Sequence, residues 1–157
     1  MRRRRKKGAD IKLLSYTDYV IRENIEDLKG KWSEKFQNNN PIHVEFGTGR
    51  GKFITTLAKQ NPDINYIAME IKEEVLLKGV EKAAEANLNN IVFLWSDVSN
   101  ILDYFDKGEI SRIYINFCDP WPKKRWAKRR LLHRSFLDKY ATILEDKGEI
   151  HFKTDNV

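Results

Sequence analysis

The stretch Tyr114-Ile-Asn-Phe-Cys-Asp-Pro-Trp-Pro-Lys-Lys-Arg-Trp-Ala-Lys-Arg-Arg130 sets an apolar strand, one carboxylate at its end, a stiff turn and a dense cationic tract in a single line. An acid at a strand end, Asp119, beside a basic patch suits a site that works on a polyanion. Pro120 and Pro122 fix φ and stiffen the bend after the acid. Trp121 and Trp126 offer flat faces for stacking on bases, with packing under a loop as the alternative for each. Lys123, Lys124, Arg125, Lys128, Arg129, Arg130 and Arg134 supply cations for phosphates, while Leu131, Leu132 and Phe136 face the core.

A second group of residues points to a nucleoside. Glu45-Phe-Gly-Thr-Gly-Arg-Gly51 is a glycine-rich turn after an apolar run. Gly47, Gly49 and Gly51 permit positive φ and close approach of backbone to a ligand. Their spacing is G-x-G-x-G, whereas a dinucleotide fingerprint is G-x-G-x-x-G with pyrophosphate at the helix start. Glu45 would repel a pyrophosphate but suits a ligand ammonium or sulfonium. Glu70 ends the next apolar run, where an acid accepts ribose hydroxyls, and Asp97 after the third is placed to meet an adenine amino group. Either acid alone reads equally well as a helix cap; with the glycine turn, the nucleoside reading is the stronger one.

These residues need a frame. Apolar runs predict strands over 42–46, 64–69, 91–95, 112–118 and 149–153. Helical spacing predicts helices over 24–36, 52–60, 72–86, 99–105 and 128–144. Alternation of strand and helix implies βαβ units, a doubly wound and mainly parallel sheet of α/β class. Such sheets bind ligands at the carboxyl ends of their strands, and Glu45, Glu70, Asp97, Asp119 and Asp155 all fall at those ends.

The chain has 157 residues, enough for one domain with a real core, and a net charge of +6. Residues 2–7 hold six Lys/Arg and residues 123–134 hold seven, leaving 16 basic against 23 acidic residues elsewhere. An acidic body with two basic tracts fits a nucleic-acid partner. Residues 1–8 read as a flexible basic arm before a single domain over 9–157. No apolar run reaches membrane-spanning length. One cysteine, Cys118, excludes an internal disulfide and fits a reducing cytoplasm. The scattered His43, His133 and His151 form no metal-ligand pattern.

EFGTGRG, the acid ending the second strand and the DPWP acid together resemble the Rossmann-like class I S-adenosylmethionine-dependent methyltransferases. NFCDPWPKKRWAKRRL and EIHFKTDN resemble one family closely, the bacterial tRNA (guanine-N7)-methyltransferases. The resemblance implies methyl transfer from S-adenosyl-L-methionine to N7 of guanine 46 in the tRNA variable loop. It implies a cofactor site lined by Glu45, Gly47, Gly49, Gly51, Glu70, Asp97 and Asp119. Asp119 would also be catalytic, Lys123 and Asp155 would touch the target nucleotide, and Lys124, Arg125, Trp126, Lys128, Arg129 and Arg130 would contact RNA. Cys118 stands where a small residue such as serine is expected, and reads as strand packing. Only five of seven expected strands are read, so the C-terminal strands and a Thr-x-x-Glu segment are expected to be missing, with reduced activity of this chain. Monomer and homodimer both remain open. The competing readings are a methyltransferase acting on an exocyclic amine, which would carry Pro-Pro-aromatic after its acid or amide, and a non-catalytic RNA-binding module. An NAD-linked enzyme fits worse, on the glycine spacing.

Overall fold

A computed structural model of the chain describes residues 8–117 and 134–154. Its strands are β1 (Val20–Ile21), β2 (Ile42–Phe46), β3 (Asn65–Glu70), β4 (Ile91–Trp95), β5 (Ile110–Phe117) and β6 (Leu144–Thr154). They form one sheet in the order β1-β4-β3-β2-β5-β6, with every pairing parallel. The chain leaves β2 toward β3 on one side, and β5 returns on the other. The topological switch point therefore lies between β2 and β5, where open α/β sheets form their ligand crevice.

Both faces are covered, as a parallel sheet requires. One carries α1 (Ala9–Ser15), α3 (Lys52–Gln60) and α4 (Glu73–Glu85). Their Leu13, Ile54, Ala58, Leu76 and Val80 pack on Tyr66, Ala68 and Phe93. The opposite layer joins Val44, Phe46, Ile67, Met69, Ile113 and Ile115 to Trp32, Phe105, Phe136 and Tyr140. Trp32 belongs to α2 (Trp32–Phe36), and Tyr140 to α6 (Arg134–Ile143). Between β4 and β5 a 3-10 turn, Val98–Asn100, runs into the short α5 (Ile101–Tyr104).

The sequence reading needs three corrections. The helix expected over 24–36 is split into a 3-10 turn at Ile25–Leu28 and α2. Gly30 takes φ 77° between them, and the Glu109 carboxylate accepts from the Gly30 and Trp32 amides at 3.0 and 3.3 Å. The spacing of Ile25, Leu28, Trp32 and Phe36 still reports burial, but the backbone is held by a distant acid. The sheet has six strands among the described residues against five expected, because the two-residue β1 pairs with β4 at the edge. The last strand begins at Leu144, five residues early: Ile110 pairs with Leu144 and Arg112 with Glu149, so residues 145–148 bulge out of register. Of the helix expected over 128–144, residues 134–143 are described; the part before Arg134 lies outside the described residues.

His43 on β2 is only 6 % exposed. Its Nδ1 has no hydrogen-bond partner, and its ring meets Tyr66 edge-on at 5.6 Å and Tyr114 at 6.1 Å. Burial first, then the Arg112 and His151 charges, lower its pKa from 6.5 to about 4. The unfolded chain therefore takes up a proton at His43 as pH falls below 6.5, while the folded chain resists until about 4. Stability present above pH 6.5 is lost across that window, by about 3 kcal/mol from this group. Chemical denaturation of His43→Phe at successive pH values is expected to show a flatter acid limb than the parent; identical slopes would refute the assignment.

Candidate active site

The carboxyl ends of β2, β3 and β4 assemble the predicted cofactor residues. Glu45 is fully buried on β2, and its Oε1 accepts a short hydrogen bond from Thr48 Oγ1. The glycine turn is tied to β3, because the Gly47 and Thr48 amides both donate to the Met69 carbonyl at 3.0 Å. Gly47, Gly49 and Gly51 have φ of 71°, 60° and 77°. A Cβ on Gly47 or Gly49 would meet nothing within 4 Å. Those two positions leave open space above the turn, as backbone that a ligand approaches must.

Glu70 binds the turn to the chain that follows it. Its Oε1 accepts from the Gly49 amide at 3.0 Å, and its Oε2 accepts from the Ile71 and Lys72 amides at 3.1 Å each. A carboxylate has about four lone-pair directions, so three amide bonds leave room for a further donor. Beyond Glu70 a cleft of about 710 Å³ opens, lined in part by Arg22, Ile71, Trp95, Ser96 and Asp97. Ile71 is 57 % exposed, an apolar face beside the acid. Asp97 is half-buried, and its Oδ1 caps the 3-10 turn by accepting from the Ser99 amide at 3.1 Å.

Arg22 and Trp95 were not singled out by the sequence reading. Trp95 ends β4, and its Nε1 donates to the Ile71 carbonyl at 3.2 Å, extending the β3–β4 connection past the last paired residues. Arg22, just past β1, stacks its guanidinium 3.9 Å from the Trp95 ring centroid. Arg22 reaches the cleft only because β1 pairs with β4.

The structure thus brings Glu45, the three glycines, Glu70 and Asp97 to one edge of the sheet. Asp119, Lys123, Lys124, Arg125, Trp126, Lys128, Arg129, Arg130 and Asp155 lie outside the described residues, as do Cys118, Pro120, Trp121 and Pro122. The described part of β5 ends at Phe117, two residues before Asp119, on the β5 side of the switch point. Among the described residues no group of His, Cys, Asp and Glu could hold a metal ion, and no helix is long and apolar enough to cross a membrane.

Comparison with known proteins gives the same class. Among solved structures, the antibiotic-resistance methyltransferase Kmr superposes with a TM-score of 0.64 at 19 % identity, over 82 % of this chain and 65 % of that one. Residues 39–157 match the family described as "Putative methyltransferase". The fold and the glycine-turn site define a Rossmann-like methyltransferase domain. Nearly the whole chain, 99 %, aligns at 78 % identity with 73 % of the tRNA (guanine-N(7)-)-methyltransferase of Clostridioides difficile (strain 630). The corresponding protein of Streptococcus pneumoniae (strain CGSP14) is 53 % identical over 99 % of this chain and 74 % of its own. The chain belongs to the tRNA (guanine-N7)-methyltransferase family.

Proposed function

We propose that this chain methylates N7 of guanine in tRNA with S-adenosylmethionine as donor, and that the edge built by the glycine turn, Glu70 and the Ile71–Asp97 cleft holds that donor. The observation that carries the reading is Glu70. It is an acid fixed by three backbone amides between a glycine turn with open space above it and a cleft with an apolar wall.

When bound, S-adenosylmethionine supplies an electrophilic methyl group on a sulfonium. The residues present fit its parts. Gly47 and Gly49 leave room for its amino-acid portion. Glu70 accepts from the ribose hydroxyls, Ile71 supplies an apolar face for adenine, and Asp97 keeps one carboxylate oxygen for the adenine amino group. Glu45, beneath the turn, contributes negative charge near the ammonium and holds Thr48. Asp119, two residues past Phe117 in the sequence, is assigned to the guanine and the donor. Lys123 and Asp155 position the nucleotide, and Lys124, Arg125, Trp126, Lys128, Arg129 and Arg130 bind the surrounding RNA.

Guanine N7 carries a free lone pair, so no proton need be removed before attack. The chain's task is in-line positioning and stabilisation of the positive charge that develops on the ring, which a strand-end carboxylate suits better than a general base. Incubation with tRNA and methyl-labelled S-adenosylmethionine, followed by mapping of the modified nucleoside, is expected to place label on N7 of a variable-loop guanine. Label on an exocyclic amine, or none with the cofactor bound, would overturn the reading.

A further inference from the structure

Two glycines bring four cations together beside the site. Gly51, which starts α3, lies against Gly79 in α4 so closely that a Cβ on Gly51 would sit 2.5 Å from the Gly79 Cα. The residues flanking the first glycine are Arg50 and Lys52, and Lys78 precedes the second. Lys82 stands one helical turn after Lys78, and its Nζ donates to the Arg50 carbonyl at 2.8 Å. Arg50, Lys52 and Lys78 are exposed. After its own burial, the groups acting on Lys82 are Arg50, Lys52 and Lys78, and they lower its pKa. The charges nearest Lys82 are therefore cationic, although α4 also carries Glu73, Glu74 and Glu85 as well as Glu81. The Glu81 carboxylate is engaged on the α1 side by Lys12 at 2.8 Å.

Like charges held this close oppose folding and favour an anion that neutralises them. The donor proposed above carries one carboxylate and no phosphate, so it can neutralise at most one of these four cations. An RNA lying across the mouth of the glycine turn would meet them directly, since Arg50 is part of that turn. The position is also reached from the first basic tract along the sequence. Residues 2–7 immediately precede Gly8 and α1, and α1 packs on α4 through Leu13, Leu76 and Val80.

We propose that Arg50, Lys52, Lys78 and Lys82 form a phosphate-binding surface for tRNA, made of other residues than the 123–134 tract and built by the Gly51–Gly79 crossing. The proposal rests on the tRNA reading above. The test is the double variant K52E/K78E, which spares the Lys82–Arg50 hydrogen bond, measured for tRNA affinity across a salt series and for S-adenosylhomocysteine affinity. The expected result is tRNA binding weakened about tenfold, a log–log salt slope smaller by about 1.5 as two phosphate contacts are lost, and unchanged S-adenosylhomocysteine affinity. A charge-matched control, K29E/K35E, lies around α2, away from the glycine turn, and is expected to leave both quantities nearly unchanged.

Equal weakening in the control would reduce the effect to net charge and overturn the surface. Unaltered tRNA affinity and salt slope in K52E/K78E, or weakened S-adenosylhomocysteine binding with tRNA binding intact, would overturn it too. Failure of the unsubstituted protein to bind tRNA would instead show the underlying tRNA reading to be wrong, and the surface would fall with it.

Discussion

Gly51→Ala is expected to lower the melting temperature by about 10 °C and to take cofactor binding down with it. Two costs add. At φ 77° an alanine loses about 1–2 kcal/mol relative to glycine. Its Cβ would also lie 2.5 Å from the Gly79 Cα. That neighbour is helix backbone and cannot rotate away as a side chain would, so α3 and α4 must separate, at about 1–3 kcal/mol for an overpacked contact. The sum, about 2–5 kcal/mol, matters in a domain of this size, where each kcal/mol moves the melting temperature by about 2–4 °C. Gly49→Ala is the informative companion. Its φ is also positive, but no atom lies within 4 Å of the added Cβ. It should cost only the conformational term in stability while filling space above the turn, so its main loss should be in affinity for S-adenosylhomocysteine. Thermal unfolding and calorimetric titration of both variants would check this; a Gly51→Ala protein that melts with the parent would refute the close-crossing argument.

That comparison also shows which features the sequence could carry. The four apolar runs that became β2 to β5 were legible because a buried parallel strand is apolar almost throughout. Three of them are followed by a described glycine turn or acid where the sheet's chemistry demands one. The Lys52–Gln60 helix was legible to the residue, because Gly51 starts it and its apolar positions recur on one face. What escaped was set by contacts distant in sequence. Val20 and Ile21 are too few to show a period, and they are a strand only because β4 offers an edge. The break at Gly30 depends on Glu109, 79 residues later. Arg22 joins the cleft through that same short strand, and Lys82 reaches the Arg50 carbonyl where the two glycines let α3 and α4 approach. The acids could be placed at strand ends but not given partners. The amides that occupy Glu70 come from its own turn and from the glycine loop, and nothing in the spacing separates an acid that caps backbone from one that also binds a ligand.

The largest catalytic effect is expected at Asp119. The expectation rests on that residue's place in the sequence and on the chemistry. The switch point between β2 and β5 is where the crevice of an open parallel sheet forms, and the chain reaches Asp119 two residues after β5's described end. Alkylating guanine at N7 leaves positive charge on the ring, and in the proposed arrangement the Asp119 carboxylate would accept from the N1–H and N2–H edge and offset that charge. Asn keeps one acceptor, removes the negative charge and turns an N–H₂ group toward an edge that only donates. The loss therefore falls on the transition state more than on substrate binding. Asp119→Asn is expected to reduce the single-turnover rate with saturating tRNA by about 10²–10³-fold, the range for removing one preorganised electrostatic contact. Its tRNA dissociation constant should change far less, since the cationic tract and the Arg50–Lys82 surface remain. Rate and binding measured on the same protein separate the two effects. Near-normal turnover in Asp119→Asn would assign charge stabilisation to another group and leave Asp119 a positioning role at most.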